Sequence, residues 1–354
     1  MTMDPIRKMI LNEIFDATLE DEIPGTLGQI LIFRLPPNTD PKRLAVKTVM
    51  PDHINNRTPY KALQRFEHEI KQWIRYRHHP FVIAPFFTRV VENWPYVAMP
   101  YCEATLRHYI DGAIPKGKQH ESIALLIESL TALEYAHSRG LIAHQDLKPE
   151  NILLRNLHNI FRMPEEYPFR WVSRLADFGL ANAYTELGIP WGSRPYLAPE
   201  QYTSTGNFAA VDTFACGVML CELVTGRHPL GVVISQVWPL PAPGQSGKWT
   251  RPDVWKKWAH SEKKLSAEIE SAAGPYADVI ESALAVNPDR RIALSELRKV
   301  LMSRLERDDS LAFENLVLLL NQYDGICRES ESYEETVERY EQARIAEILK
   351  LHLR

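Results

Sequence analysis

The sequence has few cysteines and no long apolar run. The first argues against a disulfide-linked or zinc-binding protein, and the second argues against a membrane-spanning one. The four cysteines are Cys102, Cys216, Cys221 and Cys327. They form no Cys-x-x-Cys pair and have no matching histidine pattern, so free thiols in a reducing compartment are expected rather than disulfides or structural zinc. The most apolar stretch, residues 214–224, is interrupted by Glu222 and is too short to cross a bilayer.

The chain also lacks a strong charge excess, an internal repeat and a targeting segment. Its formal net charge is −4, with 45% hydrophobic and 24% charged residues, which is a globular composition. No nucleic-acid partner is expected, and the basic cluster at 75–79 is interpreted as solvated helix surface. Residues 1–8 do not form a signal peptide. A soluble, cytoplasmic protein without a membrane partner is predicted, and its length of 354 residues suits two lobes or domains.

What the sequence does contain is a series of short motifs in a fixed order. Residues 44–47 read Leu-Ala-Val-Lys, residues 144–151 read His-Gln-Asp-Leu-Lys-Pro-Glu-Asn, and residues 177–179 read Asp-Phe-Gly. Further on, residues 198–200 read Ala-Pro-Glu and residues 287–291 read Asn-Pro-Asp-Arg-Arg. A given tripeptide arises by chance about once in 8,000 positions, so the argument depends on the order and spacing of several matches.

Together these motifs resemble those of the eukaryotic-type protein kinase family, serine/threonine branch, over about residues 20–301. The resemblance implies an α+β, bilobal protein kinase-like fold, with a small β-rich N-lobe and a large, mainly helical C-lobe. The predicted divisions are an N-terminal helical extension at 1–19, the N-lobe at 20–100, the C-lobe at 101–302 and a C-terminal helical extension at 303–354.

The same resemblance implies ATP as the phosphate donor. The residues that it assigns to ATP binding are Gly25, Gly28, Ile30, Ala45, Lys47, Glu69, Met99, Tyr101, Cys102 and Leu153. Glycines in the hairpin at 22–33 would let backbone N–H groups approach phosphate oxygens, although Ile23 stands where the first glycine of the family belongs. Lys47 would pair with the α- and β-phosphates, Ala45 would cover the adenine, and Tyr101 and Cys102 would supply backbone hydrogen bonds to it.

A glutamate on the helix predicted at 58–76 should orient Lys47, and two residues compete for that role. In the family, the residue four positions after this glutamate packs into a hydrophobic column. Four residues after Glu69 comes Trp73, whereas four residues after Glu67 comes a lysine. Glu69 is therefore predicted as the partner of Lys47, and Glu67 is interpreted as solvated.

In the C-lobe the resemblance implies Asp146, Lys148 and Asn151 as catalytic residues, and Asn151 and Asp177 as Mg²⁺ ligands. Asp146 would accept or orient the proton of a substrate hydroxyl, and Lys148 would steady the transferring phosphate. Carboxylate and amide oxygens are hard ligands that suit Mg²⁺. Lys148, with Ser193 expected to bond both it and Asp146, favours a protein substrate with a serine or threonine hydroxyl.

Departures from the family pattern leave two questions open. Gln145 replaces the arginine of His-Arg-Asp and offers no cationic fork for an activation-segment phosphate. We therefore hypothesise activity without phosphorylation of Tyr184, Thr185 or Ser193. The incomplete glycine loop and Pro100 in the linker favour an alternative, a pseudokinase or kinase-fold scaffold that binds nucleotide or a partner without efficient transfer.

Periodicity and position predict the remaining elements. Helices are predicted at 5–19, 121–138, 311–323 and 333–353, and strands at 81–87 and 94–99. The two C-terminal helices either brace the large lobe, which is favoured, or form a homo-dimer contact. Residues 155–173 are expected to form a long loop, and the tryptophan-rich residues 232–260 an irregular packed loop or a docking surface, with packing favoured.

Two further contacts follow from the resemblance. Asp212, at the start of the next helix, should hold the backbone of the catalytic loop. Arg291 should form a buried pair with Glu200 of Ala-Pro-Glu.

Overall fold

The structure, a computed structural model, divides into two compact units. It describes residues 11–13, 16–24, 28–39, 41–49, 66, 69–70, 73, 75–91, 94–117, 120–161, 167–183, 188, 192–204, 207–238 and 247–324. The small unit comprises Met1–Cys102 with Asn321–Arg354, and the helical unit comprises Glu103–Leu320. The predicted α+β fold, with a β-rich N-lobe and a mainly helical C-lobe, is confirmed. The division into lobes and terminal extensions stays a prediction.

The small unit is built on a five-stranded antiparallel sheet in the order β1-β2-β3-β5-β4. Its strands are β1 (Thr18–Pro24), β2 (Gly28–Arg34), β3 (Arg43–Val49), β4 (Phe87–Val91) and β5 (Trp94–Pro100). Alternate residues of β2 and β3 are buried on one face, because successive side chains of a strand point to opposite sides. That face holds a core of Leu31, Phe33, Leu44, Val46, Tyr96 and Ala98.

Two element predictions for the small unit are wrong in part. Of the strand predicted at 81–87, only Phe87 lies in β4. The preceding residues are largely irregular, with Phe81, Val82 and Ile83 buried, and the carbonyl of Ile83 accepts a hydrogen bond from the Trp73 indole. The helix predicted at 5–19 ends early, since the Asn12 side chain accepts from Leu19 N at 2.8 Å and the chain turns into β1. Side-chain oxygens of this kind compete with helix formation. Residues 1–10 and 14–15 lie outside the described residues.

The helical unit contains a small antiparallel sheet, β6 (Ala104–Thr105), β7 (Ile152–Asn156) and β8 (Trp171–Leu175), and most of the helices. The helices are α1 (Leu106–Ile110), α2 (Glu121–Ser138), α3 (Leu157–Phe161), α4 (Pro199–Thr203), α5 (Val211–Thr225), α6 (Ile234–Val237), α7 (Pro252–Ala259), α8 (Ala267–Ala273), α9 (Ala277–Ala283), α10 (Leu294–Asp308) and α11 (Ser310–Asp324). The predicted helices at 121–138 and 311–323 are confirmed, and the one at 333–353 lies outside the described residues.

Most residues of helix α5 are buried in the core of this unit. The helix ends at Gly226, whose φ of 71° is the left-handed geometry that glycine adopts readily at a helix end. Within the described ranges, Phe208–Thr225 is the one stretch long and apolar enough for a membrane span, by length and composition alone. Because 72% of that stretch is buried inside the protein, its apolar character is accounted for by the core.

The long loop predicted at 155–173 is largely structured. Residues 155–156 are the last two of β7, α3 follows them, and Trp171–Ser173 belong to β8. The edge of β8 is covered by buried acids of α2 rather than by another strand. Trp171 N donates to Glu121 Oε1 at 2.9 Å and Ser173 N donates to Glu128 Oε2 at 2.6 Å. Burial raises the pKa of Glu128 to about 8, although the bond from Ser173 lowers it.

Helices α10 and α11 each bury apolar side chains. Helix α10 lies against α2, and Arg298 Nε donates to Glu134 Oε2 at 2.8 Å. Helix α11 buries Ala312, Leu316 and Leu319. The bracing role of the helices predicted at 311–323 and 333–353 stays a prediction.

Candidate active site

The small unit presents a lysine on β3 that is fixed by an acid. Lys47 forms an ion pair and hydrogen bond with Glu69, as predicted, and both side chains are mostly shielded from solvent. Trp73, one turn after Glu69, is buried, as its expected place in a hydrophobic column requires. Glu67 lies outside the described residues. The pair holds the flexible lysine in one place, which a phosphate-binding lysine needs.

The hairpin that precedes Lys47 requires glycine for a reason visible in the backbone. A Cβ atom at Gly28 would lie 2.7 Å from the carbonyl oxygen of Thr48, so any side chain would push β2 away from β3. Ile30 pairs with Lys47 across these strands and with Ile23 on the other side. Ile23, which occupies the place of a glycine, is 49% exposed. Gly25 lies outside the described residues.

The other residues assigned to ATP binding are placed on both units. Ala45 on β3 pairs with Met99 on β5, and both are buried. Tyr101 follows β5, and the Arg43 guanidinium lies 5.3 Å from the centre of its ring. Cys102 is half-buried, and its thiol donates to the carbonyl of Pro100 at 4.0 Å. In the helical unit the half-buried Leu153 lies on β7, where it pairs with Thr105.

The catalytic-loop residues of the helical unit meet around one carboxylate. Asp146 Oδ2 accepts from Lys148 Nζ at 2.9 Å, and Asp146 Oδ1 accepts from Ser193 N at 2.7 Å. Lys148 Nζ also donates to Ser193 Oγ at 2.8 Å. Asn151 Nδ2 donates to the carbonyl of Asp146 at 2.8 Å. The predicted bond between the Ser193 hydroxyl and Lys148 is present, whereas the contact with Asp146 is made by the Ser193 backbone N–H and not by the hydroxyl. The four residues form one cluster.

The loop that carries this cluster is shaped by backbone contacts in the core. Asp212, in the first turn of α5, accepts from His144 N at 2.7 Å and from Gln145 N at 3.0 Å, as predicted. Gln145 has a φ of 68°, a left-handed conformation that is uncommon outside glycine. Its carbonyl accepts from Gln201 Nε2 at 3.1 Å. These contacts stabilise an otherwise unfavourable loop conformation, which is a frequent property of functional sites.

Asp177 is brought to the same end of the sheet as Asn151. Ala176 N donates to the Asn151 carbonyl at 2.9 Å, and Asp177 follows with a left-handed φ of 63°. The next residue, Phe178, is fully buried, and its ring centre lies 5.0 Å from that of His144. Since the Asn151 amide nitrogen donates to Asp146, Oδ1 is the atom of this side chain that would hold a cation. Asn151 Oδ1 and the Asp177 carboxylate fit Mg²⁺, which completes its coordination with water and phosphate oxygens.

Charge within the cluster is arranged to keep the lysine ionised. Burial alone lowers the pKa of Lys148, but attraction by Asp146, and to a smaller extent by Asp177 and Glu150, raises it above its ordinary value. A cation is thus held beside the carboxylate that faces it. This is the charge pattern expected where a phosphoryl group is stabilised during transfer.

Two buried ion pairs anchor the segment that carries Ser193. Arg291 Nη1 donates to Glu200 Oε1 at 2.7 Å and Nη2 donates to Oε2 at 3.1 Å, so the predicted pair is confirmed. The second pair was not predicted. Arg107 Nη1 donates to Glu222 Oε1 at 2.9 Å, and the Tyr196 hydroxyl donates to Glu222 Oε2 at 2.6 Å. No sequence motif signals the second pair, whereas Glu200 and Arg291 both belong to motifs of the family.

Comparison with known proteins agrees with the fold. The model of the protein kinase domain family matches residues 25–301, which is well over half of the chain. The chain therefore belongs to the protein kinase family.

The individual relatives share between 29% and 32% sequence identity with this chain. A probable serine/threonine-protein kinase PknB of Lactococcus lactis is 30% identical over 174 residues, covering 48% of this chain and 25% of the relative. The SNF1-related protein kinase catalytic subunit alpha KIN12 of Arabidopsis thaliana is 29% identical over 262 residues, covering 73% of this chain and 45% of the relative. The serine/threonine-protein kinase GIN4 of Saccharomyces cerevisiae is 32% identical over 186 residues. The chain thus spans less than half the length of these relatives.

Proposed function

We propose that this protein is an active serine/threonine protein kinase that transfers the γ-phosphate of Mg-ATP to hydroxyl groups of protein substrates. The observation that carries the proposal is the contact of Ser193 with both Asp146 and Lys148. The Ser193 hydroxyl is bonded to Lys148, which in turn is bonded to Asp146, so a carboxylate and a cation are held together for phosphoryl transfer. The resemblance places such a hydroxyl in the serine/threonine branch. The names of the relatives support the same branch.

Each residue then has a defined task. The substrate hydroxyl oxygen attacks the γ-phosphorus, its proton passes to Asp146, and the bond to the β-phosphate oxygen breaks, releasing ADP. Lys148 offsets charge on the transferring group, and Lys47, held by Glu69, binds the α- and β-phosphates. Mg²⁺, when bound to Asn151 and Asp177, supplies neutralisation of phosphate charge. The remaining adenine and phosphate contacts are those assigned above from Gly25 to Leu153.

The test is transfer of γ-phosphate from Mg-ATP to a generic basic protein, followed by phosphoamino-acid analysis. We expect phosphoserine or phosphothreonine from the wild type and none from Lys47→Met, because methionine keeps the length of the side chain but not its charge. Lys42→Met, on an exposed loop, is the matched control and should leave transfer unchanged. Phosphotyrosine alone would contradict the assigned branch.

A second candidate function is a kinase-fold scaffold without efficient transfer. The exposed Ile23 in place of a glycine favours it, because the incomplete hairpin offers the phosphates less backbone contact. Stabilisation by ATP without turnover, measured as a rise in Tm, would support this candidate over the first.

We further propose that activity does not depend on activation-segment phosphorylation. The buried, neutral Gln145 has no charge with which to bind a phosphate, and its carbonyl is already bonded to Gln201. We expect phosphatase treatment, and the variants Tyr184→Phe and Thr185→Ala, to leave the rate within twofold of the wild type. Loss of activity on phosphatase treatment that one of these variants reproduces would refute the idea.

A cytoplasmic location is also proposed, because Cys216 and Cys221 are buried thiols outside any disulfide, as in a reducing compartment. Protein substrates and ATP are the proposed partners, with no nucleic acid and no membrane. A homo-dimer through the C-terminal helices is a further proposal, supported by Leu311 and Leu318, which are 60% and 63% exposed on α11.

A further inference from the structure

The tryptophan-rich region has no part in the function described so far, yet it contacts the activation segment directly. We propose that His228 with residues 232–238 and 247–260, together called the brace, hold the turn Arg194–Tyr196 in place and so keep Ser193 on Asp146 without any phosphate. This inference rests on the proposed kinase function and identifies how its activation segment is positioned. The irregular packed loop predicted at 232–260 is packed at Trp255 and Trp258, but it is not irregular throughout, because α6, a 3₁₀ turn and α7 lie there. Residues 239–246 lie outside the described residues.

Arg194 is the first point of attachment. Its Nη1 donates to the carbonyl of Thr250 at 2.6 Å, and its guanidinium lies 5.8 Å from the ring centre of Trp238. The carbonyl of Arg194 accepts from the Tyr202 hydroxyl at 3.0 Å. Both ends of this residue are thus held, and two of the three contacts come from the tryptophan-rich region.

His228 is the second point of attachment. Its Nε2 lies 2.9 Å from the carbonyl oxygen of Pro195, and its Nδ1 lies 3.1 Å from Leu230 N. A carbonyl only accepts and a backbone N–H only donates, so the imidazole is the neutral tautomer with its proton on Nε2. The ring is fully buried between Trp255 and Trp258, with ring centres 5.3 and 4.5 Å away. Burial lowers the pKa of His228 to about 3, which keeps it neutral.

The tryptophans that surround His228 are themselves fixed. Trp255 Nε1 donates to the carbonyl of Trp249 at 2.6 Å, and Trp258 Nε1 donates to the carbonyl of Lys264 at 3.2 Å. Lys264 Nζ in turn donates to the carbonyl of Ala259 at 2.7 Å, where α7 ends. A cation at a helix C-terminus is favourable, so these three hydrogen bonds help to hold the two tryptophans in place.

The turn transmits this support to the catalytic cluster. Tyr196 N donates to the carbonyl of Ser193 at 2.9 Å, which closes the turn on the residue bonded to Asp146 and Lys148. The brace contacts the turn through backbone carbonyls, an aromatic ring and a neutral histidine. Because Gln145 offers no charge for a phosphate, the brace supplies the positioning that a phosphate supplies elsewhere. His228 and Arg194 are therefore positioning residues.

The first test compares His228→Asn with His228→Gln. The glutamine nitrogen reaches the place of Nε2 and keeps the bond to Pro195, whereas the asparagine nitrogen reaches only the place of Nδ1. Loss of one buried hydrogen bond shifts an equilibrium by roughly tenfold. We expect kcat to fall about tenfold in His228→Asn, with KM for ATP unchanged, and to stay near the wild-type value in His228→Gln.

A second comparison uses two arginines, Arg194 and Arg227. It does not require a substitution in the buried core. Arg194→Met removes the bond to Thr250, whereas Arg227→Met alters an exposed arginine that pairs with Glu268 and does not touch the turn. Arg194→Met should lower kcat and speed deuterium exchange in peptides covering residues 192–203. Arg227→Met should change neither.

The outcomes separate the brace from the kinase assignment. A folded His228→Asn with wild-type kcat and wild-type exchange would overturn the brace, as would equal behaviour of the two arginine variants. If His228→Asn does not fold, the comparison of Arg194→Met with Arg227→Met decides whether the brace holds the turn. If the wild type transfers no phosphate, the kinase proposal fails, while exchange at 192–203 still shows whether the brace holds the turn.

Discussion

Asp146→Ala is expected to lower phosphoryl transfer by about 10²–10⁴-fold, the usual contribution of a positioned general base. The reason lies in the number of groups that converge on this carboxylate. Lys148 Nζ lies 2.9 Å from one oxygen and Ser193 N lies 2.7 Å from the other, so alanine removes both the proton acceptor and the link between the two parts of the cluster.

The measurement is kcat with saturating Mg-ATP, beside the rise in Tm that ATP causes. ATP should still stabilise Asp146→Ala, because the residues assigned to nucleotide binding are unchanged. Asp289→Ala, an exposed aspartate of the same unit, is the matched control and should keep full activity. A rate for Asp146→Ala within threefold of the wild type would contradict the role of Asp146 as the base.

Arg291→Met is expected to destabilise the helical unit by about 3–5 kcal/mol, the usual cost of removing one partner of a buried ion pair. The side chains of Arg291 and Glu200 are 0% and 3% exposed. Arg291 Nη1 also donates to the carbonyl of Ala210 at 2.6 Å, and Nη2 donates to the carbonyl of Ala285 at 3.0 Å. Methionine fills similar space but leaves the Glu200 charge and two carbonyls without a partner.

Urea unfolding followed by tryptophan fluorescence measures this effect, since Trp255 and Trp258 report on the same unit. The double variant Arg291→Met/Glu200→Leu should recover part of the loss, because both charges are then gone. Arg298→Met removes the partly exposed pair with Glu134 and should cost less than about 1 kcal/mol. If Arg291→Met and Arg298→Met shift the midpoint equally, the pair is not a structural anchor.

The sequence predicted contacts best where a motif ties residue type to position. Three predicted contacts are present: the ion pair Lys47–Glu69, the ion pair Arg291–Glu200, and the hydrogen bond from His144 N to Asp212. Prediction from the sequence failed where the structure of a segment depends on hydrogen bonds with residues far away in the chain. The strand predicted at 81–87 is largely irregular, and Phe81, Val82 and Ile83 are buried outside the five-stranded sheet. Local hydrophobicity reports burial in such a segment and leaves the hydrogen bonding undetermined.

The sequence by itself thus determined the family, the fold class and the residues proposed for catalysis. It could do so because the motifs are local and their order is specific. Only the tertiary structure decided which groups support them. Arg107 meets Glu222 across 115 residues, and His228 meets Pro195 across 33. Such contacts form only when the core brings distant segments together, and the core is formed by packing and burial that no short motif records.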